Sequence, residues 1–214
     1  MRAQLILKRA LDMTVAAAVL VLAAPVLLLA AVAIRITMGR PVLFRQIRPG
    51  HHGVPFTLLK FRTMPWRADG ALVLPGETEL PFVGMLLRKT SLDELPQLVP
   101  VLLGHMSLVG PRPLLMEYME YYRPEHLRRH DMKPGITGLA QINGRQSLKF
   151  SKRLEMDVWY VDHWSLWLDL SILARTFLRL FRPDGIPEAA SLADVDDVGL
   201  SRGLRQQSHR CAGA

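Results

Sequence analysis

From Met13 to Ile34 the chain runs for 22 residues without a charge, and Thr14 is the only polar side chain among them. A run of this length and hydropathy can cross the hydrocarbon core of a bilayer as a helix. A cleaved signal sequence is the competing reading, because Ala23-Ala24 resembles a processing site. Its apolar part would be shorter, however, and here the apolar sequence continues through Pro25. Basic residues stand at both ends: Arg2, Lys8 and Arg9 before the run, Arg35, Arg40, Arg45 and Arg48 after it. The tendency of positive charge to stay in the cytoplasm pulls both ends to one side, which a straight span cannot satisfy. Pro25 removes a backbone N–H near the middle and clashes with the preceding turn. The expectation is a Pro-kinked, re-entrant helix that dips into one leaflet and returns, with an ordinary kinked span as the alternative. Asp12, at the membrane edge, is available to pair with a nearby arginine.

With 214 residues the chain can bury one real core plus appendages. Half of it is hydrophobic while its formal net charge is +8, a combination suited to an anionic membrane surface, nucleic acid or a phosphorylated ligand. The single cysteine, Cys211, excludes an internal disulfide. No Cys/His spacing fits structural zinc, and no loop fits a Walker A or dinucleotide fingerprint.

Val42–Gln46 and Val54–Phe61 are short apolar runs around the turn signal Arg48-Pro49-Gly50, which predicts a β-hairpin that delivers Lys60 and Arg62 as cations. Pro65 to Pro81 is polar, rich in Gly and Pro, and expected to be a loop. Then comes Arg88-Lys89-Thr90-Ser91-Leu92-Asp93-Glu94-Leu95-Pro96-Gln97, leading into an apolar run of helical spacing that stops at Gly104. Ser91 with Glu94 fits a capping box. In that frame Pro96 falls past the first turn, whereas Asp93 as N-cap places it where its missing N–H costs nothing. Asp93 and Glu94 then lie at the mouth of a helix, beside exposed N–H groups and two cations, a setting for a nucleophile and a base in phosphate chemistry.

Gly110-Pro111-Arg112-Pro113 holds one guanidinium between prolines, as bidentate phosphate recognition requires. Leu114 to His130 reads as an amphipathic helix with a basic end. Lys133–Gly138 and Asn143-Gly144-Arg145 are further turns that could bring N–H groups and Arg145 around an anion. Phe150 to Phe181 carries Trp159, Tyr160, Trp164, Trp167 and Phe177 and divides evenly between an interfacial and a core reading. From about Pro183 the composition suits a loosely held tail.

In this order, Pro25, Lys60-Phe61-Arg62-Thr63-Met64, Ser91–Gln97, Met106–Pro113, Lys133–Gly138, Gln141–Arg145 and Asp157-Val158-Trp159-Tyr160 resemble the bacterial sugar transferase family, the monotopic phosphoglycosyl transferases. The resemblance covers about Lys8 to Phe181 and looks like the family's minimal catalytic form. It implies transfer of a sugar phosphate from a UDP-sugar to polyprenyl (undecaprenyl) phosphate, giving UMP and a polyprenyl diphosphate sugar that begins a surface glycan or exopolysaccharide. It further implies Asp93 as nucleophile and Mg²⁺ ligand, and Glu94 as base or acid. Arg88, Arg112, Lys60 and Arg145 would bind phosphate, with Asp157 and Pro111 in supporting places. The expected location is the cytoplasmic face of the bacterial inner membrane, among membrane lipids. Self-association is left open and no nucleic-acid partner is expected. One departure is Ala24, where some relatives carry Ser before the proline. The fold expected is mainly α with a small β-hairpin (α+β) and interfacial amphipathic helices. Residues 1–40 would form the membrane helix, 41–185 the catalytic domain and 186–214 a polar tail. A non-catalytic membrane scaffold is the rival reading, but it would have no need of Asp93, Glu94 and Arg112 together.

Overall fold

The computed structural model describes residues 2–65, 81–144, 148–180 and 195–200. Helix α1 spans Arg2–Thr37 and contains Pro25. At 1.5 Å per residue it is about 54 Å long, well beyond the ~30 Å hydrocarbon thickness of a bilayer. Its stretch Ala3–Thr37 is long and apolar enough to cross a membrane, by length and composition. One stripe of α1 faces protein. Lys8, Asp12 and Ala16 are buried, Val15, Val19 and Leu20 pack on one core cluster, and Leu27, Ala30, Ala31 and Ile34 belong to another. These positions recur every three or four residues, as one helix face must. On the other side Val21, Leu22, Leu28, Leu29 and Ile36 are each at least 66% exposed. Both clusters cross residue 40, so α1 is a wall of the folded domain as well as an apolar surface.

The predicted hairpin is present: β1 (Leu43–Pro49) pairs antiparallel with β2 (Pro55–Phe61), with Leu43 opposite Phe61. Alternation along β2 turns Phe56 and Leu58 inward. Helix α2 (Phe82–Thr90) packs directly on the segment leaving β2. A Cβ on Gly84 would lie 2.0 Å from the Thr63 carbonyl oxygen, so only glycine allows this approach. The expected single helix after Ser91 is instead a 3-10 turn (Leu92–Gln97) followed by the short helix α3 (Leu98–Leu102). Pro96 and Pro100 each withdraw a helix donor, which keeps both pieces short.

A second sheet, not foreseen, pairs β3 (Ser107–Val109) in parallel with β4 (Gly135–Thr137). Three residues per strand give no readable alternation, and glycines make the pairing possible. A Cβ on Gly135 would meet the Gly110 nitrogen at 2.1 Å, and one on Gly138 the Gly110 oxygen at 2.2 Å. The two Gly-Pro loops are therefore pressed backbone to backbone.

Leu114 to His130 is not the continuous amphipathic helix expected. It comprises a 3-10 turn (Met116–Tyr121), extended residues Tyr122 and Arg123, helix α4 (Pro124–Leu127) and a second 3-10 turn (Arg128–Asp131). Pro124 is the cause, since it drives the preceding residue out of helical conformation and starts a new helix as its first residue.

After α5 (Leu139–Ile142), the aromatic region forms α6 (Phe150–Asp162) and α7 (Leu166–Leu180). Ser165 Oγ accepts the Leu168 N–H at 3.1 Å and starts α7. The aromatics divide: Tyr160 is buried, while Trp159 is 48% and Trp167 79% exposed, with Phe177 also outward. Of the expected tail, Val195 and Leu200 are buried against Tyr118, Tyr122, Phe150 and Leu154. Asp197 accepts the Ser151 N–H at the start of α6. Cys211, most of the Pro65–Pro81 loop and the rest of the tail lie outside the described residues.

Candidate active site

At the end of α2, Ser91 adopts φ 57° and ψ 17°, a left-handed turn that redirects the chain. The Glu94 N–H then bonds the Ser91 carbonyl at 3.2 Å, and the Ser91 side chain makes no cap bond. The capping box is therefore not formed, and Asp93 lies within the first 3-10 turn rather than at an N-cap. This frees the Glu94 carboxylate for a different use. Its Oε1 accepts Lys60 Nζ from β2 at 2.6 Å and Arg112 Nη2 at 2.8 Å. All three groups are partly open to solvent, with side-chain exposures of 24% for Glu94, 23% for Lys60 and 40% for Arg112.

The two neighbouring carboxylates are pushed in opposite directions. Burial and the adjacent Glu94 charge raise Asp93 to about 6, against the pull of Lys60 and Arg88. For Glu94 burial acts upward, but Arg112 and Lys60 outweigh it and hold the carboxyl well below its ordinary range. Burial in turn lowers Lys60 despite its partner, while Glu94 raises Arg112. Such a split assigns different tasks to two adjacent acids. Asp93 sits near the range where it changes protonation, while Glu94, with both cations turned to it, is held ionised.

Arg88 is exposed, and its Nε bonds Thr63 Oγ1 at 2.9 Å, so the cation stands over the loop leaving β2. Arg112 is fixed from behind by its own backbone. Pro111 and Pro113 are buried on either side, and the Pro111 carbonyl accepts the Gly135 N–H at 3.0 Å. Pro111 thus acts through loop pairing. The Arg112 carbonyl accepts Arg129 Nη2 at 2.6 Å.

Arg129 was not singled out by the sequence and is a main strut of the site. Its guanidinium, 1% exposed, bonds Asp157 Oδ2 through Nε and Nη2, and Tyr122 Oη through Nη1 at 3.2 Å. Asp157 is therefore placed behind Arg112 and steadies it through Arg129. Nothing in the spacing tells which of Arg128 and Arg129 turns inward; Arg128 pairs with Asp162 at the surface. Arg48 was read as a flanking charge and as part of the hairpin turn signal, not as a site residue. It stands near Arg112 and is lowered to about 10 by burial and by that like charge. Arg145 lies outside the described residues, and Pro25 is an exposed position within α1.

Among the described residues no three His, Cys, Asp or Glu side chains form a metal cluster. The donor set suits a cation held mainly by a ligand's own phosphates. Glu94 is engaged by Lys60 and Arg112, whereas no ion pair to Asp93 is found among the described residues, leaving one carboxylate to contribute. That is a normal complement for Mg²⁺ in a phosphate-binding site.

The domain thus joins a helix long and apolar enough to cross a membrane to an acid pair, Asp93 and Glu94, standing among the cations Lys60, Arg88 and Arg112. Residues 3–183 match the bacterial sugar transferase family, to which this chain belongs. An uncharacterized sugar transferase of Bacillus subtilis, EpsL, is 50% identical over 185 residues, covering 86% of this chain and 92% of that protein. A UDP-glucose:undecaprenyl-phosphate glucose-1-phosphate transferase of Caulobacter vibrioides is 45% identical over 188 residues, 83% of this chain and 70% of its own length. The Escherichia coli protein of the same description is 43% identical over 188 residues, but those are only 40% of its length.

Proposed function

We propose that this chain is a phosphoglycosyl transferase that moves a sugar 1-phosphate from a UDP-sugar to polyprenyl phosphate. The observation that carries the reading is the Lys60–Glu94–Arg112 cluster beside an Asp93 raised to about 6. Asp93 Oδ attacks the sugar-bearing phosphorus, the bond to the bridging oxygen breaks, and UMP departs with that electron pair. An oxygen of polyprenyl phosphate then attacks the same phosphorus and expels the Asp93 carboxylate. Splitting the transfer lets a water-soluble donor and a membrane-bound acceptor react in turn at one place. Arg112, Lys60 and Arg88 bind and neutralise the phosphates, without which an anionic nucleophile could not approach. Glu94 holds two of these cations where a diphosphate would draw them. Once they turn to phosphate, its carboxyl rises toward the range in which it can carry a proton. Asp93 would be the protein ligand for Mg²⁺, which when bound would add further charge neutralisation.

We read α1 as re-entrant, with the domain on the cytoplasmic face of the inner membrane. In support, Lys8 to Leu20 and Leu27 to Ile34 both pack on the same domain, so both ends belong on one side. The outward aromatics of α6 and α7 suit an interfacial seat.

The test is UMP release from a panel of UDP-sugars by protein in lipid nanodiscs, with Mg²⁺ and undecaprenyl phosphate. Release that depends on the lipid and on metal, and is abolished in Asp93→Asn, is expected. Silence across the panel from folded protein would remove the reading.

A further inference from the structure

The root of α1 carries three charged side chains that the reaction does not use. Lys8 and Asp12, one turn apart and 7% and 4% exposed, both turn into the domain. Lys8 Nζ donates to Asp169 Oδ2 at 2.6 Å and to the Val109 carbonyl at 3.0 Å. Asp12 Oδ1 accepts the Leu108 N–H at 3.0 Å. Asp169 is held in turn by Tyr160 Oη at 2.6 Å and Trp164 Nε1 at 3.1 Å. Arg9 donates to the carbonyls of Val101 and Leu102, at 2.6 and 2.8 Å.

These targets are the backbones of the two limbs that carry the site. Leu108 and Val109 are β3, which leads through Gly110 and Pro111 to Arg112. Val101 and Leu102 end α3, which continues directly from the turn that bears Asp93 and Glu94. The limbs meet again at the 2.8 Å contact between Arg112 and Glu94. A buried lysine–aspartate pair adds little net stability compared with apolar side chains of similar volume, so fixing direction is what such a pair does best. Here the direction is fixed on main-chain groups three and four residues from Arg112.

We propose that Lys8, Arg9 and Asp12, with Asp169, are positioning residues: the base of the membrane helix is the frame across which Arg112 is held against Glu94. Seating α1 in lipid thereby sets the spacing of the phosphate-binding groups. The effect on turnover rests on the function proposed above; the effect on the two limbs does not.

The full-length protein in phosphatidylethanolamine–phosphatidylglycerol nanodiscs provides the test, by hydrogen exchange and by kinetics. The double variant Lys8→Met/Asp169→Asn removes both partners of the pair together, so that neither is stranded as a charge without the other. Arg9→Met loosens the other limb, and Gln4→Ala, at an exposed position, is the control. In the double variant, exchange in residues 107–113 should rise about tenfold, with the β1–β2 hairpin and α6 unchanged. Arg9→Met should do the same for residues 92–102. Misplacing reacting groups by about 1 Å can cost 10²-fold, so kcat should fall about 10- to 100-fold while donor KM stays within about twofold. Unchanged exchange in both limbs, or a rise spread evenly over the hairpin and α6, would overturn the assignment, as would unchanged kcat. If the double variant does not fold, Arg9→Met decides alone. A wild-type protein that turns over no donor would remove the proposed function, while exchange would still judge the frame.

Discussion

Asp157 and Glu94 are both held by arginine, and their surroundings are opposite. Asp157 faces Arg129 in the interior, with side chains 5% and 1% exposed, and the guanidinium spends its donors on Asp157, Tyr122 and the Arg112 carbonyl. Glu94 faces Lys60 and Arg112 where water reaches all three, and two cations share one oxygen. The sealed pair is saturated and can only hold. The open cluster has more positive charge than its anion requires, so it can still accept a ligand's phosphate. On the proposed function, stability and phosphate binding are divided between two ion clusters, joined through the main chain of Arg112.

The largest expected effect lies in the open cluster. Glu94→Gln leaves Lys60 and Arg112 without their anion and should lower UMP release by about 10²- to 10⁴-fold, the usual scale for a group that manages protons and orientation. Its thermal midpoint at neutral pH should fall, because a carboxyl held below its ordinary range stabilises the fold, but by less than that of Asp157→Asn. A large loss of stability there would break the comparison, because it would make the open cluster structural too. Asp157→Asn should behave in the reverse manner. Stranding the buried Arg129 charge costs about 3–5 kcal/mol, read by denaturant unfolding. A variant as stable as wild type would remove Arg129 from its role as a strut.

The smallest effect sharpens the comparison through pH. Asp93 has a folded pKa of about 6 against an ordinary 3.8, so between these values the folded state binds the extra proton. Its contribution to stability therefore declines as pH rises from about 4 to about 6 and is a constant penalty above that. Asp93→Asn should melt about 2–4 °C above wild type at pH 8 and level with it at pH 4, even as its UMP release is expected to be lost. A site residue whose removal stabilises is the usual sign of an environment arranged for chemistry.

The parts of this molecule that could be read in the sequence are those with a local cause. The apolar length of α1 and the hairpin around Arg48-Pro49-Gly50 follow from runs and turn residues, whereas the gathering of Lys60 and Arg112 at Glu94, 34 and 18 positions away, was suggested only by the resemblance of the ordered motifs. Residues with non-local causes were not legible. Arg129 turns inward because Asp157, 28 positions away, waits for it. The β3–β4 pair exists because glycines from two distant loops let backbones touch. Pro124 was visible, yet the basic periodicity around it suggested one helix where the proline permits two short pieces. The frame at Lys8 and Asp12 looked like membrane-flanking charge, since nothing local shows that a charged face turns toward protein.

That α1 supplies Ala16 to one core cluster and Ile34 to another bears on how the protein could be handled without lipid. Cutting the chain at residue 40 would open both clusters and strip the ties to β3 and α3. A water-soluble form has to be obtained by repainting: polar residues at Val21, Leu22, Leu28, Leu29 and Ile36 on the outer face, with the inner stripe untouched. The anchor can be disguised, but it cannot be removed.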